Sequence, residues 1–103
     1  MVSLNFKEYD KIIKECSAIS RLKNRDYGSD SLIRFGVKGI IVRMSDKMDR
    51  IVNLTMNDNK AMVVDEKSED TLKDMINYSV YAIMILRKRL VNNEQSCNIR
   101  HRD

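Results

Sequence analysis

Apolar residues recur at intervals of three and four along most of the chain. Phe6, Tyr9, Ile12, Ile13, Cys16, Ile19 and Leu22 form the first such series, the signature of a helix with one buried face. Asn5 precedes it as a side-chain cap, Glu8 stands three residues on where a capping box places its acid, and Leu4 with Tyr9 fits a hydrophobic staple. The spacing predicts a first helix over about residues 5–23, with Cys16 in its core face and not displayed as a nucleophile.

Asn24-Arg25-Asp26-Tyr27-Gly28-Ser29-Asp30 reads as a polar connection in which Gly28 is free to take positive φ and Ser29 or Asp30 caps the next helix. That second helix is expected to be loosened at Gly36 and Gly39 and firm over residues 40–56. Ile40, Ile41, Met44, Met48, Ile51 and Val52 make its apolar stripe. With successive side chains turned by about 100°, Asp46, Asp49 and Asn53 cluster opposite that stripe. Residues 57–60 read as a turn and 61–64 as a short irregular connector or a brief strand.

The third helix is predicted from about Ser68. Leu72, Met75, Ile76, Ser79, Ala82, Ile83 and Leu86 form its main core stripe, and Tyr78, Val80, Met84 and Ile85 make its second half apolar nearly all round. Two other short helices can hardly cover such a surface, so the pattern asks for a second subunit.

Composition agrees with helix: the 103 residues include no proline and only three glycines, too little turn chemistry for an all-β chain. The expected architecture is all-α, one antiparallel three-helix unit over residues 1–91 completed by homo-oligomerisation. Residues 92–103 lack periodicity and read as a disordered basic tail. His101, the only histidine, falls there and is a poor candidate for a catalyst or metal ligand. Cys16 and Cys97 form no C-x-x-C pair and no targeting segment is evident, which points to a reduced, cytoplasmic setting. The longest apolar run, residues 78–86, falls well short of the roughly 20 residues a bilayer requires, so no membrane partner is expected.

The net charge of +4 owes much to Arg87, Lys88, Arg89, Arg100 and Arg102 near the C-terminus. This charge is only weak evidence for nucleic acid, and the lack of any helix-turn-helix, zinc-ligand or aromatic-basic pattern argues against sequence-specific binding.

The carboxylates have a more specific arrangement. Asp70, Asp74, Asn77 and Tyr81 succeed one another at four, three and four residues on the third helix, hence on one side of it. Asp46 and Asp49 lie three apart on the second helix, with Arg43, Lys47 and Arg50 adjoining. If the two faces met, several carboxylates would converge beside cations, a set suited to Mg²⁺ and the phosphates it bridges. The plainer alternative is a solvated face in which Asp46 and Arg50 make an ordinary i,i+4 pair. Asp74 and Asn77 adjoin the all-round apolar half of the helix, where an acid needs a partner.

Three segments in order then resemble a known family: N-x-D-Y-G-S (Asn24, Asp26, Tyr27, Gly28, Ser29), R-x-x-D-K-x-x-R (Arg43, Asp46, Lys47, Arg50) and E-D-T-L-x-D-x-x-N-Y (Glu69 to Tyr78). Together they resemble the nucleotide modification associated domain of the first type, found in phages and prokaryotes. That domain is similar to the MazG-like all-α nucleoside triphosphate pyrophosphatases, and the similarity spans about residues 14–90. The resemblance implies a helical dimer or tetramer that holds Mg²⁺, or Mn²⁺, and splits a nucleotide between its α and β phosphates.

Carried across, Asp46 and Asp49 stand for the first acidic pair, and Asp74 with Asn77 for the second. The resemblance thus implies Asp46, Asp49 and Asp74 as metal ligands, with one of these or Asp70 orienting the attacking water. It implies Arg43, Lys47 and Arg50 as phosphate ligands, and Asp26 and Tyr27 as contacts to sugar or base. Aspartates replace longer glutamates and Asn77 replaces an acid, departures that lower the expected metal affinity or turnover. The expected function is therefore a magnesium-dependent nucleotide pyrophosphohydrolase, linked to nucleotide modification or pool cleaning. The alternatives are a non-catalytic nucleotide-binding module on the same fold, or a helical nucleic-acid-associated interaction protein.

Overall fold

The computed structural model describes residues 1–56 and 64–91. The turn expected at 57–60, most of the connector at 61–64 and the tail from residue 92, with Cys97 and His101, lie outside them. Among the described residues the fold is all-α, with α1 (Phe6–Tyr27), α2 (Asp30–Ile33), α3 (Gly36–Met56) and α4 (Val64–Arg87) in chain order. No helix among them is long and apolar enough to cross a membrane.

The start of α1 is built as its sequence predicts: extended Asn5 accepts the Glu8 backbone N–H on Oδ1 at 3.1 Å. The staple does not form. Leu4 is exposed, and the Tyr9 ring lies instead against Phe6, centroids 5.6 Å apart. The polar residues after Lys23 stay helical, so α1 runs one turn beyond the predicted end. It stops at Gly28, whose φ of +74° suits glycine and whose N–H reaches the Asn24 carbonyl at 2.8 Å.

The second helix is broken where the sequence suggests only loosening. α2 is a single turn, and Gly36 at φ +67° redirects the chain into α3. Gly39 stays helical for a different reason: a Cβ there would lie 2.8 Å from the Phe35 Cβ. α4 begins at Val64, ahead of the predicted Ser68. It ends in a Schellman arrangement, with Arg89 N–H on the Met84 carbonyl at 2.9 Å and Lys88 N–H on that of Ile85 at 3.0 Å.

α3 and α4 pack as an antiparallel hairpin. Lys47 meets Asp74, while Arg43, one turn earlier, shares a groove with Tyr78, one turn later. Ile40 is fully buried. α1 lies obliquely across α4, because Glu15 reaches Lys73 and Lys23, two turns on, reaches Asp74, its immediate neighbour. Helices running side by side in either direction would separate those contacts by more than a lysine can span.

The core of the single chain is small and oddly polar. Cys16 and Ile40 are its buried apolar side chains among the described residues, whereas α4 buries Ser68, Thr71 and Asn77. The stripe that periodicity assigns to the core of α4 is only partly covered: Leu72, Ile83 and Leu86 are 49%, 47% and 69% exposed, and Met75, Ile76, Ser79 and Ala82 are half-buried. On α3, Ile41, Met48 and Val52 are likewise exposed. At about 100° per residue from the α3–α4 contact line, both uncovered stripes fall on one side of the hairpin. Arg43, Asp46 and Arg50 of α3 fall on the other side, with Asp74, Asn77 and Tyr81 of α4, where α1 lies.

Candidate functional site

On the polar side of the hairpin, α3 turns Arg43, Asp46, Lys47 and Arg50 toward Tyr78 of α4, and these residues line a groove of about 250 Å³. Their spacings of three, one and three keep them on one flank of the helix. Lys47 is the member nearest the contact line. Its Nζ lies 3.0 Å from Asp74 Oδ2, while Lys23 of α1 lies 3.2 Å from Asp74 Oδ1. Asp74, only 22% exposed, thus has each oxygen on a different lysine from a different helix, which meets the need of a half-buried carboxylate for partners.

The outer cations are arranged differently. Asp46 and Arg50 do not form the ordinary i,i+4 pair, and Arg50 meets no acid among the described residues. Arg43 donates from Nη2 to the Ser31 carbonyl at 3.2 Å, a contact that fixes its position without cancelling its charge. The groove therefore presents two guanidinium groups that make no ion pair among the described residues, with the Asp46 carboxylate in the same groove, chemistry suited to phosphate oxygens.

Asp46, Asp49 and Asp74, the expected metal ligands, do not come together among the described residues of one chain. Among the described residues no three His, Cys, Asp or Glu side chains gather closely enough to hold a metal ion. Asp46 reaches the groove, but Asp49 is turned further from α4 and is exposed, as is Asp70. The physical reason is Lys47: the α3 position that meets Asp74 carries a cation where a shared site needs an acid.

Asn77, expected beside the substrate, is 8% exposed and faces α1, donating from Nδ2 to the Cys16 carbonyl at 3.0 Å. One turn on, Tyr81 shares a hydrogen bond with Ser20. Asp26 lies near Arg25, 3.7 Å from its Nε, and Tyr27 is 82% exposed; neither lines the groove.

Several structural partners are not legible in the sequence. Lys73 lies between Glu15 at 3.0 Å and Glu69 at 3.1 Å, and hydrogen bonds to Glu15 first and Glu69 second push its ammonium up to about 12. The Glu69–Lys73 spacing of four is readable in sequence, but the reach to Glu15 is not. Lys23 and Tyr78 carry no signal beyond charge and apolar character. Cys16, 2% exposed, has its thiol pushed up by burial, as befits a core residue.

No curated protein and no solved structure matches the chain. Residues 23–86, more than half of it, match the family described as Nucleotide modification associated domain 1. The matched region runs from the last turn of α1 into the last turn of α4, and so contains every residue of the groove together with Lys23 and Asp74. On that match, the chain belongs to the Nucleotide modification associated domain 1 family.

Proposed function

We propose that this protein binds nucleotides, gripping their phosphates in the groove formed by Arg43, Lys47 and Arg50. The observation that carries the reading is the pair of guanidinium groups beside Lys47, which make no ion pair among the described residues, within a family named for nucleotide modification. Two arginines offer flat, forked donors that match phosphate oxygens, and Tyr78 supplies a wall to the groove.

Among the described residues of one chain no Mg²⁺ site is complete, since Asp74 is held by two lysines and Asp49 and Asp70 stand apart. A second reading nevertheless has an observation in its favour. Asp46 lies in the same groove without a cation of its own, so its charge would oppose an incoming phosphate unless a further cation joined them. On this reading the protein is a nucleotide pyrophosphohydrolase whose metal-binding acids come from two subunits. The uncovered apolar side of the α3–α4 hairpin supports the association of two copies, as a homodimer or within a tetramer. The unpaired, buried Cys16 suits a reduced, cytoplasmic setting.

The test incubates the purified protein with Mg²⁺ or Mn²⁺ and a panel of standard and base-modified nucleoside triphosphates, measuring binding and each product separately. Saturable binding without turnover supports the binding module. Release of pyrophosphate that disappears in Asp46→Ala and Asp74→Ala supports the hydrolase. Neither binding nor turnover overturns both readings.

A further inference from the structure

A second groove, of about 360 Å³, opens at the corner between α2 and α3. Leu32 and Val42 give it apolar walls, Lys38 and Arg43 stand at its rim, and Phe35 lines it while remaining 74% exposed. The backbone at Phe35 is set by the glycines that follow it. Gly36 turns the chain directly after it at φ +67°, and Gly39 leaves room for the Phe35 Cβ, which any other residue would crowd at 2.8 Å. The Gly39 N–H also bonds the Phe35 carbonyl at 3.3 Å.

Arg43 lines both grooves, so they are neighbours joined at one side chain. Arg43 lies seven residues beyond Gly36, the residue after Phe35, or about 10 Å along α3 at 1.5 Å per residue. Polarity rises along that path, from Phe35, Leu32 and Val42 at the corner, with Lys38 at the rim, to Asp46, Lys47 and Arg50 further along α3. A nucleotide has the same gradient, from a flat base to a chain of phosphates.

We propose that the α2–α3 corner is the base-binding subsite, with the base stacked on Phe35 and Arg43 contacting the first phosphate. This rests on the phosphate reading given above and adds a location for the base. It also sets the selectivity. Ser31 is the single neutral polar side chain among the groove's lining residues, and Lys38 and Arg43 only donate, on long side chains, leaving few acceptors to read the hydrogen-bonding edge of a base. Stacking tolerates any base, because every base has a π-face. The site therefore discriminates weakly among bases and accepts bases altered at their edges.

The test titrates the full-length protein by calorimetry with a purine and a pyrimidine nucleoside triphosphate and, separately, with inorganic tripolyphosphate. Phe35→Leu keeps apolar bulk and loses the stacking face, so nucleotide affinity should fall about tenfold while tripolyphosphate binding is unchanged. Phe35→Tyr should restore it, and the two nucleotides should differ only a few-fold. Unchanged nucleotide affinity in Phe35→Leu overturns the base subsite while leaving the phosphate groove standing. A change of oligomer size in that variant with nucleotide affinity intact makes the corner a contact between copies instead. Wild-type protein that binds neither nucleotide nor tripolyphosphate overturns the phosphate reading and this one together. Should the leucine variant not fold, magnetisation transfer from base protons to labelled phenylalanine rings in the wild type decides the question, and its absence overturns the proposal.

Discussion

The side-chain amide of Asn77 donates to the backbone carbonyl of Cys16 at 3.0 Å, in a setting where Asn77 is 8% exposed and Cys16 2%. A carboxylate at position 77 has no proton to give and would set its charge against that carbonyl. Asn77→Asp should therefore lower stability by about 3 kcal/mol, from a lost buried hydrogen bond and an unpaired charge. Urea denaturation measures this directly. The same variant should gain no hydrolytic activity; an active, undiminished Asn77→Asp would show that the amide replaces a catalytic acid and is not a tie between helices.

The uncovered side of the hairpin predicts self-association. Ile83 and Leu72 lie on the α4 stripe that shares this side with Ile41, Met48 and Val52 of α3. Replacing Ile83 by lysine places a charge in the contact without disturbing the α1 side. Light scattering after gel filtration should give at least a dimer for the wild type and a smaller species for Ile83→Lys. A monomeric wild type at micromolar concentration would contradict the prediction.

Lys73 gives a signed pH dependence. Its pKa in the fold, about 12, lies above the ordinary lysine value of 10.5 because Glu15 and Glu69 hold the charged form. A raised pKa means the contribution is fully present below the unfolded value and is lost as pH rises through about 12. Urea midpoints between pH 9 and roughly pH 12 should fall more steeply for wild type than for Lys73→Met. Equal slopes would show that the three-residue contact contributes nothing.

Cys16 should be chemically silent. Its thiol is buried and pushed above the usual cysteine range by burial, so both access and thiolate fraction are low. In a Cys97→Ser background, iodoacetamide should label the native protein far more slowly than the urea-unfolded one, as read by intact mass. Labelling at the unfolded rate would place Cys16 at the surface.

Much of the fold is legible in the sequence, and the failures share a cause. Asn5 announces the start of α1, because a side-chain cap is a local event encoded in a few neighbouring residues, whereas the polar residues 24–27 read as a connection although they continue the helix to the turn at Gly28. The apolar stripe of α4 is a true stripe, yet Leu72, Ile83 and Leu86 face outward. Periodicity marks which face is apolar but not which partner covers it, and α4 meets α1 and α3 through Thr71, Asp74, Asn77 and Tyr81 instead. Spacing places Asp46 beside Arg43, Lys47 and Arg50, since that is fixed by one helix. Whether Asp49 and Asp70 join Asp74 depends on helix rotation, which spacing does not encode. The break at Gly36 reads in sequence as mere loosening, since glycine permits positive φ without requiring it.

Of the three cations proposed to grip phosphate, Arg43, Lys47 and Arg50, the last is the sharpest probe because it meets no acid among the described residues. Its removal breaks no ion pair of the described fold. Calorimetric titration of wild type and Arg50→Ala with one nucleoside triphosphate at low and high salt is the direct measurement. Wild type should bind saturably and more weakly at high salt, with Arg50→Ala reduced about tenfold for one lost charge-assisted contact. Equal affinity in the two proteins, or wild-type binding insensitive to salt, would contradict the account.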